Sequence, residues 1–279
     1  MHLRILRSDP AGLYLVLFMH HALYDGLSIP SLLSLVEHLY QNQEIAHPAQ
    51  FFDFIPRMLS QQDQATAYWT KRLQNYNPVA LLRNTVISSK GIIASRLVSV
   101  QKEVLAQFVR NNVVTLQCLA QAVWAKYLAS LYSSSDVVFG HVVSGRSFDD
   151  SEKVVGPMLV SEHQYHWRRY FIRLQIQNTI PCRVQLSPNM NNQELLQSIH
   201  HANVSALPWQ HVSLRDVQSI LQMHGFLSSL FLFQPWRPRV HSPLWTLREP
   251  DEFDIQVQVG SATICSLSEF ATQTYLVSP

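Results

Sequence analysis

Two adjacent imidazoles, a carboxylate and a glycine stand together in His20-His21-Ala22-Leu23-Tyr24-Asp25-Gly26. An imidazole can take or release a proton near neutral pH, and a glycine gives a substrate room to approach backbone N–H groups. Paired histidines alone are weak evidence, because imidazoles are often simply buried and satisfied, and Asp25 could merely cap a helix. The setting strengthens the signal. Leu13-Tyr14-Leu15-Val16-Leu17-Phe18-Met19 is an unbroken apolar run of strand length, which fits a strand buried on both faces. Beyond the motif, Pro30 suits a first helical turn, and Leu32, Leu35, Val36 and Leu39 repeat at helical spacing. A buried strand, a polar loop and a helix would thus hold a base and backbone donors at a strand end.

The remaining elements alternate in type. Residues 65–73, with Tyr68, Trp69 and Leu73, read as an amphipathic helix, and Asn75-Tyr76-Asn77-Pro78 is a turn. Phe51-Phe52-Asp53-Phe54-Ile55 is an aromatic cluster that could pack a surface helix. A strand over 94–100 precedes a helix with Val104, Leu105, Phe108 and Val109 on one face. A longer helix over 116–132 carries Ala120, Val123, Trp124, Tyr127 and Leu131 as its expected buried stripe. Ser133-Ser134-Ser135-Asp136 ends it, and Val137-Val138-Phe139-Gly140 begins a strand. Residues 192–203 form a helix with Leu195, Leu196 and Ile199 inward, another helix starts at Ser213, and 227–234 reads as a late strand. His200, His201 and His211 offer no convincing third metal ligand at useful spacing, so no metal is expected.

Composition excludes several classes. The chain has 279 residues, 47% hydrophobic and 14% charged, enough for a sizeable core in one large domain or two smaller ones. A net charge of +2 without any Lys/Arg run argues against a nucleic-acid partner. Cys118, Cys182 and Cys265 are odd in number and far apart, as expected for reduced core thiols in a cytoplasmic protein. No apolar run is long enough to span a bilayer, and Arg4, Arg7, Asp9 and Pro10 interrupt any secretory signal. A serine hydrolase is not expected, since no Gly-x-Ser-x-Gly elbow occurs.

The seven-residue pattern resembles the His-His-x-x-x-Asp-Gly motif of nonribosomal peptide synthetase condensation domains, which have the chloramphenicol-acetyltransferase-like fold. Further segments are similar to that family: the aromatic 51–55 segment, Tyr68-Trp69, Ser144-Gly145-Arg146, Gly156-Pro157-Met158-Leu159, Asn178-Thr179 and Leu207-Pro208-Trp209-Gln210-His211. The resemblance covers roughly 10–159 and 178–254. It implies an α/β (α+β) fold of two lobes meeting at a tunnel, here with 1–77 as the end of a largely missing first lobe. Residues 78–254 would form the second lobe and 255–279 an unassigned tail. It also implies that His21 is catalytic, as a general base or by orienting an amine and stabilising charge. His20, Asp25 and Gly26 would support it, and Arg146 would clamp Asp25. The family pattern closes without a gap if 160–177 is excised, and Val160-Ser161 and Gln177 are compatible with splice-site codons. That stretch is therefore read as a retained intron or gene-model error, the alternative being a genuine surface insertion.

What the resemblance implies for activity is amide bond formation between acyl or aminoacyl groups held as carrier-bound thioesters. No cofactor would be bound directly; phosphopantetheine would arrive on partner carrier domains, with adenylation modules adjacent. The competing readings are a CoA-dependent acyltransferase of the same fold and a non-catalytic remnant exposing a strand edge and core face.

Overall fold

The apolar run before the histidines is a strand, and it pairs on both of its edges. In this computed structural model the described residues are 2–8, 12–18, 23–25, 27–44, 50–78, 100–156, 178–222, 226–227, 229–233, 246–248 and 275–278. Strand β1 (His2–Ser8) runs antiparallel to β2 (Gly12–Phe18), in register from His2 opposite Phe18 to Ser8 opposite Gly12. The arginines of β1 interrupt any secretory signal but fit a strand, because Leu3 and Ile5 alternate with Arg4. Leu3 and Ile5 are exposed.

The opposite edge of β2 is filled from the far end of the chain. Among the described residues, β7 (Tyr275–Ser278) pairs antiparallel with β2, and β6 (Thr246–Arg248) pairs with β7, giving the order β1-β2-β7-β6. The tail left unassigned by sequence therefore supplies a strand. Four residues with no motif carry too little local pattern to be found, because their pairing is set by a partner more than 250 positions away.

A second sheet, ordered β4-β3-β5, is built from β3 (Asp136–Val143), β4 (Asn178–Gln185) and β5 (Leu230–Phe231). β3 and β4 are antiparallel over eight residues, and β5 joins β3 in parallel. The expected strand over 227–234 contracts to two paired residues. Gly140 lies at this junction, where an added Cβ would meet Leu230 Cδ2 at 2.5 Å and Thr179 Cγ2 at 2.8 Å. A side chain here would have to displace the Leu230 and Thr179 side chains, so glycine suits the packing of this junction.

Helices α1 (Ser28–Tyr40), α2 (Phe51–Ser60), α3 (Gln62–Leu73), α4 (Lys102–Asn111), α5 (Leu116–Tyr132), α6 (Asn192–Ala206) and α7 (Leu214–Leu221) complete the described architecture. α5 has the predicted span, opened by the Thr115 side chain accepting from Cys118 N–H and closed by Ser133 in the left-handed region. Its buried stripe is different. Cys118, Gln121, Ala122, Trp124, Ala125 and Leu128 face inward, whereas Val123, Tyr127 and Leu131 are exposed. This helix is apolar around much of its circumference, so periodicity cannot choose a face. The small side chains are buried because they let the helix lie close to the sheet. α4 also occurs as read, but none of its residues is fully buried, and Val104 and Phe108 are exposed. The expected strand over 94–100 and the stretch 160–177 fall outside the described residues, apart from Val100, which is not in a strand.

Although the turn at 75–78 places α3 before a boundary, its packing sets it on the second sheet. Ala65, Trp69, Leu73 and Tyr76 share one buried cluster with Val138, Ile180, Val212 and Val217. Arg183 fastens the joint: its guanidinium holds Asp136 at 2.6 Å and donates to the carbonyls of Arg72 (3.2 Å) and Gln74 (2.7 Å). Arg72 answers by donating to the Arg183 carbonyl at 2.9 Å. Orphan carbonyls at the end of α3 are thereby satisfied by a cation, favourable at a helix C-terminus.

His141 on β3 provides a pH probe of this lobe. It is buried, with Nε2 3.1 Å from Gln117 Nε2. Since an amide nitrogen only donates, the imidazole nitrogen accepts and the ring is neutral. Burial lowers its pKa from 6.5 to about 4. The unfolded chain therefore binds a proton that the folded chain refuses, and the stabilisation, complete above pH 6.5, is lost as pH falls towards 4. Urea unfolding at pH 7 and pH 4.5 should show wild type losing about 2–3 kcal/mol more than His141→Gln. Equal losses would place the sensitivity elsewhere.

Candidate active site

Asp25 and Ser28 begin a helix whose first turn is buried and polar. Asp25 Oδ1 accepts from Ser28 N–H at 2.8 Å, from Leu27 N–H at 3.1 Å and from the Ser28 hydroxyl at 2.7 Å. These bonds satisfy donors that a helix N-terminus otherwise leaves open, and the carboxylate complements the positive end of the dipole. Asp25 is 3% exposed and Ser28 fully buried.

Arg146 reaches this turn from the loop after β3. Gly145, at φ 71°, turns the chain before it through a conformation natural to glycine. Arg146 Nη2 donates to Asp25 Oδ1 and Oδ2 at 2.7 and 2.8 Å, and Nε donates to Oδ2 at 3.2 Å. The two side chains are 1% and 4% exposed. Nη1 donates to the carbonyls of Ser151 and Val154 (2.8 Å), and Nη2 also approaches the Gly156 carbonyl at 3.0 Å. A buried cation and anion are thus paired and otherwise fully hydrogen-bonded, the condition under which burial of charge is tolerated.

The aromatic segment backs this arrangement. α2 opens with Phe51, Asp53 accepts from Gln50 N–H at 2.8 Å, and Phe54 and Met58 pack with Phe148 and Val154. Gly156, at φ +148°, adopts a backbone conformation that side chains rarely take, and an added Cβ would lie a tight 3.3 Å from Phe51 Cβ. On the other side of Phe148 lies His211, with ring centroids 5.7 Å apart. His211 is buried, and burial lowers its pKa despite the nearby carbonyls of Pro208 and Met58, so the ring packs as a neutral group. Among the described residues no cluster of His, Cys, Asp or Glu could hold a metal.

Of the sequence candidates, the structure brings Asp25 and Arg146 together across 121 positions, while His20, His21 and Gly26 lie outside the described residues. Ser28 and the Gly156 backbone were missed as members of the same network. The Asp-x-x-Ser spacing at a helix start was a local signal for the first. Gly156 carried none, because its role arises from backbone atoms delivered by the fold.

The condensation domain family profile matches residues 1–162, which contain the entire motif and Arg146. The chain belongs to the condensation domain family. This condensation domain chain is similar to "Nonribosomal peptide synthetase NPS2" of Ceriporiopsis subvermispora, 38% identical over 252 residues, covering 88% of this chain and 10% of the relative. It is also 39% identical over 245 residues to "Coprinoferrin synthetase" of Coprinopsis cinerea, covering 88% of this chain and 9% of that one. It therefore spans about a tenth of the length of these two relatives. Among solved structures, the first condensation domain of the CDA synthetase superposes with a TM-score of 0.55 at 17% identity, over 80% of this chain and 49% of that one. The fold is accordingly the chloramphenicol-acetyltransferase-like condensation fold, of which this chain covers about half. Among the described residues no helix is long and apolar enough to cross a membrane.

Proposed function

We propose that this condensation domain chain forms amide bonds between acyl or aminoacyl groups presented as thioesters on carrier domains. The observation that carries the reading is the buried Asp25–Arg146 pair, four residues beyond His21, within a sequence that matches the condensation family. A carboxylate so engaged holds the motif loop, and His21 is the group assigned to accept a proton. His21 serves the attacking amine as a base or by orienting it and stabilising charge, and Gly26 keeps backbone room beside the carbonyl. The partners are carrier domains bearing phosphopantetheine, with adenylation modules that load them. The names of the matched synthetases support this assignment. Residues 160–177 are proposed to be foreign to the working domain, and the family match stops at 162, just inside them.

The test is to mix the 279-residue chain with one carrier loaded as donor and another as acceptor, and to weigh the acceptor carrier. A dipeptidyl thioester is expected. Product formed only from acyl-CoA donors would identify a CoA-dependent acyltransferase, and no product from either would identify a non-catalytic remnant.

A further inference from the structure

The Ser28 hydroxyl is the point through which the motif loop and the loop after β3 are locked together. It donates to Asp25 Oδ1 at 2.7 Å and lies 3.1 Å from both the Asp25 and Gly156 amide nitrogens, which donate to it. Arg146 Nη2 approaches it at 3.2 Å. Ser28 N–H in turn donates to the Asp25 carbonyl at 3.0 Å. One buried oxygen thus sets the backbone as well as the carboxylate of Asp25, and ties both to a segment 128 positions away. Arg146 reaches Asp25 through its carboxylate, whereas the Ser28 hydroxyl also holds the Asp25 main-chain N–H.

We propose that Ser28 is a positioning residue for His21, acting through Asp25 and Gly156 to fix the backbone of the motif loop. The proposal rests on His21 being the catalytic group of the amide-forming reading. Losing the hydroxyl leaves the Asp25 and Gly156 amides without their acceptor in a site closed to water, and each unpaired donor favours rearrangement of the loop that carries it. Reacting groups displaced by about 1 Å can lose on the order of 100-fold in rate, so a small shift suffices. The hydroxyl is fully buried, and its loss is therefore expected to act on turnover and not on carrier affinity.

The experiment compares wild type, Ser28→Ala and Ser28→Cys in the full chain. It measures turnover and KM with loaded carriers, and the NMR titration of a labelled His21 imidazole. Ser28→Ala is expected to lower kcat roughly tenfold or more, with KM for both carriers unchanged, and to move the His21 titration midpoint. The thiol of Ser28→Cys, a weaker hydrogen-bonding group, should fall between the two, and it carries the test if the alanine variant does not fold. A folded variant with an unmoved His21 titration would overturn the proposal, whatever its turnover. A loss residing in KM would equally overturn it. If wild type forms no amide bond, the functional reading fails separately, and the His21 titration still decides the role of Ser28.

Discussion

Replacing His21 with alanine is expected to slow dipeptidyl-thioester formation by roughly 10²–10⁴-fold, the usual contribution of a positioned acid or base. The expectation follows from the position of His21 as second histidine of the motif and from what the structure does with its neighbour. Asp25 is saturated by Arg146, Ser28 and two backbone N–H groups, so it is not the proton acceptor. An ammonium nucleophile must lose a proton before or during attack on the thioester carbonyl, and a neutral imidazole near pH 7 can take it. If His21 chiefly orients the amine, the loss should still fall on kcat, because carrier docking does not depend on it. Loaded carriers, quenched flow and mass measurement of the acceptor carrier give the rates. Unchanged turnover in His21→Ala would remove the residue from the chemistry.

The second large effect is on stability. Asp25→Ala and Arg146→Ala should each cost about 3–5 kcal/mol, because each leaves an uncompensated charge in a site closed to water. The Arg146 variant also strands the carbonyls of Ser151, Val154 and Gly156. The double mutant should cost clearly less than the sum, since neither charge is then left alone. Chemical denaturation of the four proteins closes the cycle. Additive losses would show that the two side chains contribute independently, contrary to contacts of 2.7 and 2.8 Å.

Much of this was legible locally. The motif, the strand before it, the span of α5, the presence of α4 and α6, and the turn residues around them all follow from short-range patterns. Steric strand preference, helical repeat and capping chemistry act within a few residues. Even the pairing of Arg146 with Asp25 was anticipated, but through a resemblance to other proteins rather than through any pattern linking positions 25 and 146.

Tertiary structure decided what local pattern leaves degenerate. α5 could have buried either side of a nearly all-apolar circumference; packing distance to the sheet selected Cys118, Ala122, Ala125 and Leu128 over Val123, Tyr127 and Leu131. α3 precedes a clear turn, yet Arg183 and the cluster around Trp69 attach it to the second sheet. Ser28 is an ordinary helix-start serine by sequence, and becomes the centre of the site only when Gly156 is brought beside it. Tyr275–Ser278 joins a sheet because β2 has an edge to pair. By itself, then, the sequence determined the strand before the motif, most of the helices and the chemistry of the motif loop, whose causes are local. The fold alone decided which faces are buried and which distant backbone atoms complete the site, because burial and hydrogen-bond satisfaction depend on the whole chain at once.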